Sequence, residues 1–110
     1  MPAESLGTLE LMLMLALMRL GDSAYGVAIA QELEAVAGKR VSLGSVYATL
    51  ARLEGKGLVT SGMGEPTPQR GGRAKRFFRI TNGGLRAVKE TQRGIVALSK
   101  GLADLKGLMA

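Results

Sequence analysis

The chain has 110 residues, neither cysteine nor histidine, and a formal net charge of +6. No cysteine means no disulfide staples and no thiolate metal ligands, and no histidine removes the commonest general base and the commonest metal ligand. The length suits one domain, or one domain with an appended helix, and a reducing cytosol suits the composition.

Ser5 or Thr8 is placed to cap a first helix that runs to about Leu20, where Gly21-Asp22 stops it. Its apolar residues go all the way round. Leu9, Met12, Leu13, Ala16, Leu17 and Leu20 make one stripe; Leu11, Met14, Leu15 and Met18 make another. A helix apolar on both sides needs cover on both sides. A second copy of the chain is the simplest second cover; the other reading is a central helix wrapped by its own chain. The longest strongly apolar run, Leu11 to Met18, is far short of the roughly 20 residues of a membrane span. The opening MPAES lacks the basic start of a signal peptide. Neither export nor a membrane span is expected.

Ser23 predicts the start of a second helix over about Ala24–Val36, with Val27, Ile29, Ala30, Leu33 and Val36 inward. Ser42 predicts a cap for a third helix, Leu43 to about Lys56, with Gly57 taking the left-handed ending. Val46, Leu50 and Leu53 recur at buried spacing, and Ser45, Thr49, Arg52 and Lys56 on the opposite side. LVTSG and RFFRIT read as two strands of a hairpin. Alternation turns Phe78 and Ile80 inward. Between the strands MGEPTPQRGGR, with its prolines and glycines, reads as a long basic tip. Thr81 is placed to cap a last helix that reaches toward Met109, weakened at its start by Gly83-Gly84. Val88, Thr91, Ile95, Leu98, Leu102, Leu105 and Met109 alternate three- and four-residue steps, a coiled-coil-like seam for a partner subunit. A helix folded back on its own domain is the other reading.

The charge is unevenly spread. Residues 1–38 carry one cation against five acids, and residues 39–79 carry nine cations against two acids. RGGRAKRFFRIT alone holds Arg70, Arg73, Lys75, Arg76 and Arg79 and no acid. Such a concentration points to a polyanionic partner.

Helix, helix, helix, strand, basic loop, strand, helix is the plan of a winged helix-turn-helix: mainly α, an α+β fold. Residues 1–81 are expected to form the DNA-binding domain and 82–110 a single C-terminal dimerisation helix. In such a fold the third helix enters the major groove of double-stranded DNA, and the hairpin follows the backbone or enters the minor groove. Ser42, Ser45 and Thr49 would then read base edges through their hydroxyls, with Gly44 leaving room beside them. Arg52 would sit further along the groove, or be solvated or paired near Glu54. Tyr25 and Tyr47 would offer hydroxyls to phosphates, with the core as the other place for Tyr47. Lys39 and Arg40 would contact the backbone or merely flank the turn, while Arg70, Arg73, Lys75 and Arg76 would neutralise phosphates from the wing. Leu11, Met14, Leu15, Met18, Val88, Ile95, Leu98, Leu102, Leu105 and Met109 are the expected homodimer contacts, and a two-fold dimer implies a pseudo-palindromic operator.

YGVAIAQELEA, SLGSVYATLARLEGKGLV and GGRAKRFFRIT together resemble the PadR family of bacterial transcriptional regulators. The matching residues are Tyr25-Gly26, Val46-Tyr47-Ala48-Thr49-Leu50, Leu53-Glu54, Gly57-Leu58 and Arg79-Ile80-Thr81, over about Leu6–Leu85. The total length and single C-terminal helix resemble the shorter, homodimeric subgroup. The resemblance implies a repressor-like factor, in some relatives released by a small aromatic effector. Here a small apolar effector would sit among Met12, Leu15, Ile95 and Leu98, where ordinary dimer core is the competing reading. An enzyme is not expected. The acids form no paired constellation, and GEPTPQRGGR lacks the Gly-Lys-Ser/Thr ending of a phosphate loop. No cofactor or metal is expected. The alternative function is a winged-helix protein-interaction module with an acidic partner.

Overall fold

The computed structural model describes residues 6–64 and 75–102. It contains α1 (Thr8–Leu20), a short 3₁₀ turn (Gly21–Ser23), α2 (Gly26–Ala37), α3 (Leu43–Gly55), β1 (Val59–Met63), β2 (Arg76–Ile80) and α4 (Asn82–Ser99). No helix among the described residues is long and apolar enough to cross a membrane.

Gly7, and not Ser5 or Thr8, holds the cap position of α1. The Glu10 carboxylate reaches back to accept the Gly7 N–H at 3.0 Å, one half of a capping box. Leu13, Met14, Ala16 and Leu17 are buried. Met14 therefore belongs to the chain's own core and offers no surface to a second copy. The second cover of α1 is the start of α4. Gly84 makes this possible: a side chain there would run into the Leu58 carbonyl, Ile80 and the Met14 methyl. The same packing buries Ala87 and Val88, so Val88 is also withdrawn from the expected dimer contacts. The first turns of α4 close the core, and the later stretch from Gln92 to Leu98 is exposed throughout.

Ser23 does not cap α2. Ala24 and the extended Tyr25 run beside β2: the Phe78 N–H donates to the Ala24 carbonyl at 2.8 Å, and Tyr25 bridges Phe77 antiparallel. Tyr25 is the cap residue and Gly26 starts the helix. Ile29 and Leu33 are buried, but Val27 and Val36 are exposed, so the inward stripe is narrower than its apolar residues suggest.

Ser42 caps α3 as expected, accepting the Ser45 N–H at 3.1 Å. At the other end Gly57 adopts φ 76°. Its N–H bonds Glu54 and the Leu58 N–H bonds Leu53, both at 3.0 Å. This is the Schellman pattern, with buried Leu53 and Leu58 as its apolar contact.

β1 and β2 pair antiparallel from Val59↔Ile80 to Met63↔Arg76. Phe78 is buried and Ile80 packs against the core. Residues 65–74, which carry most of the expected wing tip, lie outside the described residues. Thr81 caps α4, accepting the Gly84 N–H at 3.0 Å and donating to the Gly57 carbonyl at 2.7 Å. α4 stops at Ser99, short of the expected reach. Lys100 turns extended and Gly101 takes φ 82°, so Leu102 lies beyond the helix. Leu105 and Met109 lie outside the described residues.

Candidate nucleic-acid interface

α3 is anchored by Val46, Thr49, Leu50 and Leu53. Its exposed face is therefore Gly44, Ser45, Tyr47, Ala48, Ala51 and Arg52. Thr49 is 1% exposed, and its hydroxyl accepts from the Arg52 guanidinium at 3.1 Å. It cannot meet a base edge from there, which corrects the expected reading face. Its hydroxyl braces Arg52 instead. Ala48 and Ala51 take its place on the surface. The buried Val46, Leu50 and Leu53 carry this phase: Thr49 falls between them, and a small apolar side chain such as Ala48 is what can touch a thymine methyl.

At the start of α3, the Ser42 hydroxyl accepts the Ser45 N–H and donates to the Ser45 hydroxyl at 3.0 Å. Both residues are exposed, and the Ser45 hydroxyl keeps one lone pair and its proton for an outside partner. Ser42 is tied up in the cap.

Tyr47 is 42% exposed, and the end of its ring lies against Gly26, in the space a side chain would fill. Tyr25, one residue earlier, turns the other way, toward the wing. Its ring stands edge-on to Phe77 (centroids 5.7 Å apart, planes at 74°), and the Lys75 ammonium sits 4.2 Å from its centroid. Tyr25-Gly26 thus joins the two expected DNA-contacting elements. A second link runs from the far end of α3: the Arg76 guanidinium donates to the Ser61 hydroxyl at 2.9 Å, and Ser61 donates to the Glu54 carboxylate at 2.8 Å.

Lys39 and Arg40 are exposed in the turn between α2 and α3. Arg40 approaches Glu34 at 3.6 Å with 87% of its side chain exposed, a surface pair of small worth. Lys56 pairs at 3.3 Å with Glu10 of α1. The Gly7 N–H and the Lys56 ammonium hold the Glu10 carboxyl below the usual range, against the opposing effect of burial. Arg79 lies 3.4 Å from Asp22. Arg70 and Arg73 are outside the described residues.

Beside the Asp22–Arg79 pair is an open cleft of about 380 Å³, lined by Leu17, Met18, Gly21, Asp22, Arg79, Ile80 and Leu85. It is not the cavity expected among Met12, Leu15, Ile95 and Leu98. Ile95 and Leu98 are exposed in the single chain, at 52% and 81%.

Three helices and a two-stranded wing, with a capped helix held against the wing root, define a winged helix-turn-helix. The sequence pattern described as the transcriptional regulator PadR-like family matches residues 14–90. The transcriptional regulator Rv3488 of Mycobacterium tuberculosis is 38% identical over 81 residues, 72% of this chain and 69% of that protein. A PadR-like transcription factor from Bacteroides fragilis superposes with a TM-score of 0.73 at 28% identity, covering 86% of this chain and 85% of that one. A PadR family regulator from Eggerthella lenta superposes with a TM-score of 0.65 at 30% identity, covering 86% and 83%. The chain belongs to the PadR-like family of transcriptional regulators. It is a DNA-binding regulator of transcription and not an enzyme.

Proposed function

We propose that the chain is a homodimeric repressor of the bacterial cytosol that binds a pseudo-palindromic operator in double-stranded DNA. α3 enters the major groove, and Ser45, with Ala48 and Arg52 beside it, meets base edges. The wing follows the backbone or the minor groove, and its cations neutralise phosphates without reading sequence. Tyr47, Lys39 and Arg40 add backbone contacts. One observation carries this reading: the exposed face of α3 and the cationic root of the wing are joined twice, through Tyr25-Gly26 and through Glu54–Ser61–Arg76. Two readers so joined meet a duplex as one surface.

The dimer is supported by large apolar side chains left in water. Ile95, Leu98 and Leu102 are exposed on and just beyond α4, as is Met18 on α1, with Leu11 and Leu15 half-buried. Residues 1–81 with the first turns of α4 act as the DNA-binding unit, and the remainder to residue 110 serves dimerisation. A small apolar effector has one candidate seat in the cleft floored by Leu17, Met18, Ile80 and Leu85.

The test is selection of bound sites from random duplex DNA, followed by footprinting. Two symmetry-related half-sites are expected, about 10 base pairs or a multiple apart. A single unsymmetric half-site would contradict the dimer, and no enrichment over random DNA would contradict sequence reading. Transcription from a promoter carrying the selected site should fall when the chain is supplied; a rise would contradict repression.

A further inference from the structure

We infer that Tyr25 is a positioning residue: its ring, and not its hydroxyl, holds the Lys75 ammonium at the wing root for a DNA phosphate. The inference rests on the DNA-binding reading above and assigns how one of its phosphate contacts is prepared.

The ring is constrained from several sides. Tyr25 is extended (φ −118°, ψ 164°), caps α2 and bridges Phe77. The preceding carbonyl, that of Ala24, is bonded to the Phe78 N–H. Phe77 meets the Tyr25 ring edge-on and lies in the space that Gly64 leaves by having no side chain. The Gly64 N–H donates to the Lys75 carbonyl at 2.7 Å, which fixes the backbone under the lysine. Lys75 itself is exposed, and its ammonium lies over the Tyr25 ring at 4.2 Å.

A lysine ammonium is a compact charge on a flexible stem. Left in water it samples many rotamers, and ordering it on a phosphate costs entropy. A ring face beneath the ammonium favours the rotamers that keep it at the wing root. It does so without neutralising the charge, as a carboxylate would. Arg76 and Arg79, by contrast, engage Ser61 and Asp22. The cationic edge thus uses a π-face at one position and hydrogen-bond acceptors at the next two. Phenylalanine has the same face, so the mechanism does not need the hydroxyl.

The experiment is a double-mutant cycle on the full chain. Binding to a 30-base-pair duplex is followed by fluorescence anisotropy between about 50 and 200 mM salt. Tyr25→Phe should stay close to the unaltered chain. Tyr25→Leu should lose roughly two- to fivefold in affinity for each protomer bound, the scale of one exposed cation–π contact. Lys75→Met should lower the salt slope by about 0.9 for each protomer bound, one phosphate's worth, and so by about twice that for a bound dimer. Within the Lys75→Met chain, Tyr25→Leu should cost nothing further. A purely structural tyrosine would cost the same in both backgrounds, and that result overturns the inference. So does a loss in Tyr25→Phe equal to that in Tyr25→Leu, which would put the hydroxyl on the phosphate. Tyr25→Met repeats the cycle if the leucine variant does not fold. Failure of the unaltered chain to bind any duplex would overturn the DNA-binding reading, and this inference with it.

Discussion

The ring of Tyr47 rests on the backbone of Gly26, so a side chain of α3 packs directly on the first turn of α2 where residue 26 contributes none. A methyl group at residue 26 would occupy the ring's place. The ring is partly exposed and can swing outward, toward the face that α3 presents. Gly26→Ala, at the first position of α2, gains less than the roughly 1 kcal/mol of helix propensity of an interior site and loses about 1–3 kcal/mol to overpacking. The net expectation is a small loss of thermal stability with a disproportionate loss of DNA affinity. Melting curves and duplex titrations on the same sample check this. Unchanged affinity would mean that the ring's seat does not matter to binding.

Ser45 and Thr49 separate by role. Ser45→Ala should reduce the ratio of operator to random-DNA affinity by about 1–3 kcal/mol. Thr49→Val removes a buried hydroxyl that braces Arg52 and should cost about 1 kcal/mol of stability, with a smaller effect on that ratio. Paired titrations on operator and random duplexes give both numbers. A larger loss of discrimination in Thr49→Val than in Ser45→Ala would return Thr49 to the reading face.

Leu98 is the most exposed large apolar residue of α4, at 81%. Leu98→Asp would bring a charge into the dimer contact and leave the buried core of each chain intact. Sedimentation should give a dimer for the unaltered chain and a monomer for the variant, with operator affinity falling as the second half-site is lost. A variant that remained dimeric would remove this part of α4 from the interface.

Glu10 carries a pH dependence with a definite sign. Its carboxyl is held below the usual range by the Gly7 N–H and Lys56. A lowered folded-state pKa contributes stability above the unfolded value, and that stability is lost as pH falls through the folded one. Glu10→Gln should therefore be less stable than the unaltered chain at neutral pH. The gap between the two melting temperatures should begin to close as pH falls below about 4, where glutamate protonates in the unfolded chain, and should vanish only below the lowered folded-state value. A constant gap across the whole range would assign the contribution to shape rather than charge.

Much of this was legible in the residues. Ser42, Gly57 and Thr81 mark their helix ends by local chemistry, and Phe78 and Ile80 follow from strand alternation. What escaped depends on long-range packing. Ala24-Tyr25 pairs with β2 over too short a stretch to carry any periodicity. Because α1 is apolar all round, its pattern could not tell that Met14 faces α4, and the glycine that admits α4, Gly84, reads locally only as a weak helix former. Thr49 looked like a surface hydroxyl, yet its size is close to that of valine, and Arg52 satisfies its oxygen. The end of α4 at Ser99 follows from Lys100 and Gly101, while the apolar seam continues past both in the sequence.

The most direct test of the central claim, that α3 and the wing form one cationic surface for a duplex, is the salt dependence of DNA binding by the unaltered chain. If the dimer neutralises about 6–10 phosphates, affinity should fall by roughly 10³–10⁵ between 50 and 200 mM salt. An affinity that does not change with salt over that range would contradict the account.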